Sequence, residues 1–220
     1  MMVSGRMLSA MVSTTVLAFI AAVAVSALQS DAARQKTPRL RNPAALAQTA
    51  PAIYRVKFDT TRAPFVVQVR RAWAPIGADR FYNLVRAGFY DDCAFFRVIP
   101  YFVVQFGIHG DPAVQKSWTT AAIKDDAVRV SNKRGTVAFA TVGKDMRTTE
   151  LFINYRNNLT LDSQGFAPFG EVVDGLSVVD SINAEYREMP DPQRIRLEGN
   201  AYLRTAFPRL TYVKTAVIEK

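Results

Sequence analysis

The chain has 220 residues, of which 49% are hydrophobic, and its formal net charge is +9 at pH 7. This length suits one domain of ordinary size with extensions, and the hydrophobic fraction is too high for a disordered chain. A single cysteine, Cys93, excludes an internal disulfide and a cysteine-rich zinc site. A nucleophile–histidine triad would have to use the single histidine, His109, whose neighbours do not resemble such a setting. The basic residues are spread along the chain, so we expect a solvated basic surface and no nucleic-acid partner.

The N-terminal 30 residues carry one charge, Arg6. Val25-Ser26-Ala27 supplies the small residues of a signal-peptidase site, which predicts a secretory signal peptide over residues 1–27, with cleavage after Ala27. The uncharged stretch, residues 7–30, is also long enough to span a bilayer, so an uncleaved membrane anchor is the alternative. The signal predicts a secreted or otherwise extracytoplasmic protein. Residues 28–51 are rich in proline, alanine and charge without a clear period, which predicts a linker.

From residue 53 onward the pattern is mostly that of β-strands. Residues 53–61 alternate apolar and polar side chains, and residues 64–73 follow after a short connection, which indicates an antiparallel hairpin. Residues 78–90 change to helical spacing and contain a helix stop, Gly88. Further strands are predicted at 95–99, 102–106, 135–141, 150–156, 169–173 and 211–219, and a second helix at 176–186. Many short strands with two helices favour an antiparallel barrel or sandwich.

One cation stands in an otherwise apolar strand. Residues 95–107 read FFRVIPYFVVQFG, with Arg97 near the start and Gln105 near the end. A strand this apolar is expected to be buried, so the arginine needs a reason to be there. Either the strand faces a groove in which Arg97 acts on a ligand, or Arg97 pairs with an acidic residue in the sheet and has only a structural role.

Three segments, in this order, resemble the cyclophilin-type peptidyl-prolyl isomerases: FFRVIPYFVVQFGIHGDP, GTVAFATVGKDMRTTELFINY and LDSQGFAPFGEVVDGLSVVDSI. The resemblance covers roughly residues 53–186. It implies an eight-stranded antiparallel β-barrel capped by two α-helices, with the active groove on the outer face and neither metal nor cofactor. The cyclophilin-like domain is assigned to residues 52–220, with a C-terminal extension from about residue 187 that is longer than in compact members.

The function that the resemblance implies is rotation of X–Pro bonds in polypeptides, and so a role in protein folding. Twisting the bond removes amide resonance and leaves a basic lone pair on the prolyl nitrogen, so a fixed cation that donates to it favours the twisted state. Position matching assigns this catalytic role to Arg97, which stays charged in apolar surroundings. The expected partners are Pro-containing polypeptides, and the chain is expected to be a monomer. The alternative is a weak or inactive cyclophilin-like module that binds Pro-containing segments.

The substrate-binding residues also follow from position matching. The resemblance assigns the proline pocket to Phe102, Val103, Phe152 and Leu161. It assigns contacts with the substrate backbone to Gln105, which would also orient Arg97, and to Thr141, whose backbone would bind the chain on the N-terminal side of the proline.

Some positions depart from the family pattern. Glu150 stands where the family often has glutamine, and its carboxylate is expected to reach Arg97, either orienting it or competing with substrate. Tyr101 replaces the usual glycine after the proline, so an altered turn is expected. Asn158-Leu159-Thr160 matches the N-glycosylation pattern, which predicts a modification site at Asn158 in a loop beside the groove.

Overall fold

The computed structural model describes residues 39–219. Three predictions lie outside the described residues. They are the signal peptide or anchor within residues 1–30, the cleavage after Ala27, and the first part of the linker, residues 28–38. Within residues 39–219, every helix is too short or too polar to cross a bilayer.

Eight strands form one antiparallel sheet. They are β1 (Ile53–Thr60), β2 (Phe65–Arg70), β3 (Arg97–Ile99), β4 (Val103–Phe106), β5 (Thr136–Phe139), β6 (Leu151–Asn154), β7 (Pro168–Asp174) and β8 (Val213–Ile218). Their order across the sheet is β3-β4-β6-β5-β7-β2-β1-β8, and neighbouring strands run antiparallel. The predicted eight-stranded antiparallel architecture is confirmed.

The two ends of this strand order are brought together by backbone hydrogen bonds. The N–H of Phe95, just before β3, donates to the carbonyl of Thr211, just before β8, at 2.9 Å. Asp92 N–H donates to Val213 O at 2.8 Å, and Val213 N–H donates to Cys93 O at 2.9 Å. The sheet is therefore curled, and its edge strands β3 and β8 are joined through the segments that precede them, which leaves less open edge.

The described residues contain more helices than the two predicted. They are α1 (Pro75–Ala87), α2 (Pro112–Trp118), α3 (Thr160–Ser163), α4 (Leu176–Asp180), α5 (Pro192–Glu198) and α6 (Asn200–Ala206), with a 3₁₀ turn at Pro43–Ala45. Helix α1 is the first predicted helix, and it ends at Gly88, whose φ of +75° is the left-handed conformation that glycine adopts without a Cβ clash. Of the helix predicted over 176–186, only the first part forms, as α4 (Leu176–Asp180). The chain turns away after Asp180 because Asn183 donates from its side chain to Arg209 O and from its backbone to Thr211 Oγ1.

The main core lies between the inner face of the sheet and α1. Phe58 of β1 stacks on Phe65 of β2 with ring centroids 4.9 Å apart, and Phe81 of α1 packs on Phe169 of β7 at the same separation. A second apolar cluster attaches the C-terminal extension to the sheet; its members include Phe96, Ile195, Leu203, Phe207 and Tyr212. The extension is therefore an integral part of the domain.

The predicted linker, residues 28–51, is wrong in its second half. Leu40, Leu46 and Ala50 are buried members of the main core. Trp118 donates from Nε1 to Leu40 O at 2.7 Å, and Ala50 N–H donates to Asp79 Oδ1 at 2.9 Å. These apolar residues are too widely spaced to show a period, yet each is buried against the main core.

Candidate active site

Strand alternation produces two faces with different contents. Val98, Val104 and Ile153 belong to the main core. Their neighbours along the strands must point to the opposite face, because successive side chains of a strand alternate. That outer face carries Arg97 on β3, Gln105 on β4, Phe152 on β6 and Ala138 on β5.

These four outer-face residues form one row. Arg97 is paired in register with Gln105, Gln105 with Phe152, and Phe152 with Ala138. Directly opposed residues in an antiparallel pair have Cβ atoms only about 4.5–5.5 Å apart. The sheet register thus places a cation, an amide and an aromatic ring side by side across neighbouring strands.

A cavity of about 160 Å³ opens over this row. Its lining is Arg97, Phe102, Val103, Gln105, Ala140, Thr141, Phe152, Leu161 and Phe166. The structure therefore brings together all but one of the residues predicted to act on substrate, with Glu150 as the exception. The lining also contains Ala140 and Phe166, which were not assigned a substrate-binding role. Ala140 directly precedes Thr141 in the motif already described, and Phe166 lies near the position where the family has a groove histidine, so both positions were usable signals.

The apolar part of the cavity is a small cluster separate from the main core. Val103, Phe152 and Leu161 are 3%, 5% and 7% exposed, and the partly buried Phe102 and Phe166 pack against them. Phe152 and Phe166 meet edge to face with centroids 5.5 Å apart. Buried floor and half-exposed walls make a slot suited to a small apolar ring.

Asn158 lies behind the slot, and its predicted glycosylation needs correction. The side chain is buried, and its Nδ2 donates to Phe102 O at 2.9 Å and to Asn154 Oδ1 at 2.8 Å. A glycan on this nitrogen would replace one of its two N–H groups, so at least one of these bonds would be lost, and it would require space that the folded domain does not provide. Asn158 instead fixes the end of the turn that carries Phe102.

The polar side of the site is a chain of hydrogen bonds. Arg97 donates from Nη1 to Gln105 Oε1 at 3.3 Å, and Gln105 Nε2 donates to Glu150 Oε2 at 2.9 Å. Glu150 Oε1 accepts from Arg196 Nη2 at 2.5 Å. The expected direct pair between Glu150 and Arg97 is therefore wrong, because Gln105 lies between them and Arg196 of α5 binds the carboxylate.

Arg97 has a different acidic partner, Glu188. Its Nε and Nη2 both lie 2.7 Å from Glu188 Oε1. Glu188 belongs to the C-terminal extension, and sequence reasoning missed it. The ion pair is at the rim, with 31% of the Arg97 side chain and 58% of the Glu188 side chain exposed. Arg97 therefore has an acidic partner, as in the alternative that gave it only a structural role. However, the pair lies at the edge of the first cavity and not within the sheet.

A second cavity, of about 350 Å³, adjoins the first and shares Gln105, Ala140 and Thr141 with it. Its other walls include Glu150 and Arg196. Thr141 folds its side chain into its own turn, donating from Oγ1 to Gly143 O and accepting from Gly143 N–H. This leaves the Thr141 backbone as the part of the residue available beside the cavities.

Ionisable groups are scarce in the lining of the first cavity itself. Among the described residues that line the first cavity, Arg97 is the one ionisable side chain. Burial lowers the pKa of His109 despite the nearby Asp111, whose N–H donates to His109 Nδ1. Burial raises the pKa of Cys93, so this residue is a neutral thiol. Residues 39–219 also contain no cluster of three metal-binding side chains. The chemistry available at the site is hydrogen-bond donation beside an apolar slot.

Residues 55–198 match the family model described as cyclophilin type peptidyl-prolyl cis-trans isomerase/CLD. Peptidyl-prolyl cis-trans isomerase A of Dickeya dadantii is 38% identical over 125 residues, which is 54% of this chain and 65% of that protein. Peptidyl-prolyl cis-trans isomerase B of Escherichia coli is 35% identical over 136 residues, which is 58% of this chain and 82% of that protein. The chain belongs to the cyclophilin type peptidyl-prolyl cis-trans isomerase family.

Solved structures show the same fold. A cyclophilin type peptidyl-prolyl cis-trans isomerase of Cryptosporidium parvum matches with a TM-score of 0.57 at 17% identity, over 76% of this chain and 98% of that one. A second structure of that protein, in the presence of the dipeptide Ala-Pro, matches with a TM-score of 0.56 at 18% identity, over 76% of this chain and 99% of that one. The predicted family, fold and isomerase class are confirmed.

Proposed function

We propose that Arg97 and the adjoining apolar slot catalyse rotation of X–Pro bonds in polypeptides. The observation that carries the proposal is the row that sets Arg97 and Gln105 beside Phe152 at the cavity floor. A proline ring in the slot would lie next to the guanidinium, and its nitrogen would be within reach of a donor. This donor favours the twisted state, in which the nitrogen lone pair is basic.

The energetics require both parts of the site. The uncatalysed barrier is roughly 18–20 kcal/mol. A 10⁵-fold acceleration corresponds to about 7 kcal/mol at 1.36 kcal/mol per decade. One hydrogen bond to a charged group contributes about 1.5–3 kcal/mol. The remainder would come from the slot, which holds the ring and surrounds the amide with apolar side chains that favour the less polar twisted state.

The expected substrates are flexible polypeptides that contain proline. We expect the segment N-terminal to the proline to lie along Thr141, toward the second cavity, and position matching within the family supports this direction. The Ala-Pro dipeptide present with the Cryptosporidium parvum protein supports a proline-containing ligand for this fold. The joined cavities offer space for at least one side chain beyond the proline.

The test is exchange spectroscopy on an Ala-Pro peptide with catalytic amounts of the full chain. The proposal predicts that cis–trans exchange accelerates in proportion to enzyme concentration. Binding without acceleration would support the alternative of a non-catalytic module, and the absence of both would contradict any proline-directed role. An Ala-Ala peptide at the same concentration is the control for nonspecific binding.

We also propose that the protein acts outside the cytoplasm as a monomer. The support is the uncharged N-terminal stretch and Val25-Ser26-Ala27. Mass spectrometry of the protein from its host should find a mature N-terminus at Leu28. A membrane-bound product that retains residues 1–27 would replace the signal peptide with the anchor. Sedimentation of the mature chain tests the monomer, and a dimer mass would contradict it.

A further inference from the structure

We propose that Glu188 is a positioning residue of the active site, so that the C-terminal extension forms part of the catalytic apparatus. The inference rests on the proposed role of Arg97. The polar chain runs from Glu188 through Arg97, Gln105 and Glu150 to Arg196. Its three middle members belong to or directly precede strands of the sheet, and both ends come from the extension.

The segment that carries Glu188 is fixed against β3. Val98 N–H donates to Arg187 O at 3.0 Å, which attaches the extension to the residue that follows Arg97 in the strand. Met189 N–H donates to Tyr186 O at 2.8 Å, so residues 186–189 form a tight turn. Asp191 then caps α5 by accepting from Gln193 N–H at 2.7 Å. Glu188 therefore approaches Arg97 from a defined backbone.

The two contacts of Arg97 lie on different edges of the guanidinium. Glu188 takes the Nε and Nη2 edge, and Gln105 takes Nη1. A guanidinium has five N–H groups, so one on Nη1 and one on Nη2 stay available for a substrate. Because the group is planar, contacts on two edges fix its orientation. Without Glu188, a 3.3 Å bond to Gln105 would be its one remaining described side-chain contact.

The carboxylate does not cancel the charge that the reaction needs. Glu188 is 58% exposed on its side chain, so water screens the pair. The electrostatic stabilisation is small, whereas the geometric constraint on Arg97 persists. Glu188 is therefore expected to orient Arg97 and not to compete with the substrate for its N–H groups.

Arg196 has the matching role at the other end. It holds Glu150, whose Oε2 accepts from Gln105 Nε2. A carboxylate accepts and cannot donate, so Gln105 must turn its NH₂ toward Glu150 and its carbonyl oxygen toward Arg97. The extension therefore also sets the orientation of the Gln105 amide.

The test compares Glu188→Ala with Glu188→Gln in the full chain by exchange spectroscopy on an Ala-Pro peptide. For Glu188→Ala we expect kcat to fall about fivefold, which is roughly 1 kcal/mol at 1.36 kcal/mol per decade, with KM unchanged within about twofold. Glu188→Gln should keep most of the activity, since its amide oxygen accepts the same two N–H groups. Arg194→Ala, which removes the exposed Arg194–Glu198 pair on α5, is the matched control and should change neither parameter.

A spectroscopic signal tests the positioning independently of turnover. The Nε–H resonance of Arg97 should be protected from solvent exchange in the wild type and in Glu188→Gln, and exposed in Glu188→Ala. Wild-type or higher activity in Glu188→Ala, equal losses in both variants, or an unprotected Nε–H in the wild type would each overturn the inference. If the wild type is inactive, the proposed function fails, and the Nε–H signal still decides whether Glu188 positions Arg97.

Discussion

Among residues 39–219, Arg147 is the one buried cation, and its removal should destabilise the domain measurably. Its side chain is 3% exposed and lies 3.1 Å from Asp126, which is equally buried, and 3.1 Å from Asp125. Asp126 also accepts from the N–H groups of Ile76 at 2.9 Å and Gly77 at 2.8 Å, in the first turn of α1. The pair therefore ties the loop before β6 to the start of α1.

Arg147→Met would leave the Asp126 carboxylate buried without its cation. Breaking a buried pair in this way costs about 3–5 kcal/mol of unfolding free energy. The low end applies here, because Asp126 keeps two backbone donors near a helix N-terminus. A loss of about 3 kcal/mol in a chain of this size lowers the melting temperature by roughly 6–12 °C.

Thermal unfolding followed by circular dichroism measures this effect. Arg194→Met is the control, because the side chains of the Arg194–Glu198 pair are 52% and 46% exposed and water screens their attraction, so its loss should leave the melting temperature nearly unchanged. If Arg147→Met melts within about 2 °C of the wild type, the reasoning about the buried pair is refuted.

Three further predictions concern single residues. Tyr101 lies in the turn between β3 and β4, in which the Phe102 N–H donates to Ile99 O. Its backbone has a φ of +61°, in the left-handed region, and its side chain is 83% exposed. Tyr101→Gly should raise the unfolding free energy by about 0.5–1 kcal/mol in denaturant titration, because the relief of left-handed strain outweighs the glycine entropy; a loss would contradict this. The pKa of His109 is lower in the folded state, so the unfolded state takes up the proton first. Stability should therefore fall as pH drops below about 6.5 and level off below the folded pKa, and His109→Gln should remove this dependence; an unchanged pH profile would be the contrary result. Cys93 is buried with a raised pKa, so it should react with thiol reagents only on unfolding, and rapid labelling at neutral pH would contradict this.

Local patterns predicted most of the sheet, and the resemblance to the family predicted the centre of the site. Strand alternation indicated β1 and β2, and position matching in the motif around β3 and β4 assigned Arg97, Phe102 and Gln105, which are close in sequence. The helix over 176–186 was predicted too long, since periodicity does not show that Asn183 binds residues 209–211.

The contacts that escaped prediction join distant parts of the chain. Glu188 and Arg97 are 91 positions apart, and no local period relates them. The same holds for Arg196 with Glu150, 46 positions apart. Asp191-Pro192 is a helix-start signal that was present in the sequence and would have marked α5.

The proposed action of Arg97 on the twisted amide is tested most directly by the cis–trans exchange rate of an Ala-Pro peptide with the Arg97→Ala variant. Circular dichroism is the folding check, since Arg97 is at the rim of the cavity and outside the main core. Losing a charge-assisted hydrogen bond of about 1.5–3 kcal/mol corresponds to about a ten- to hundredfold change in rate at 1.36 kcal/mol per decade. We expect the folded Arg97→Ala variant to catalyse exchange about ten- to a hundredfold more slowly than the wild type, and a wild-type rate in that variant would contradict the proposed role of Arg97.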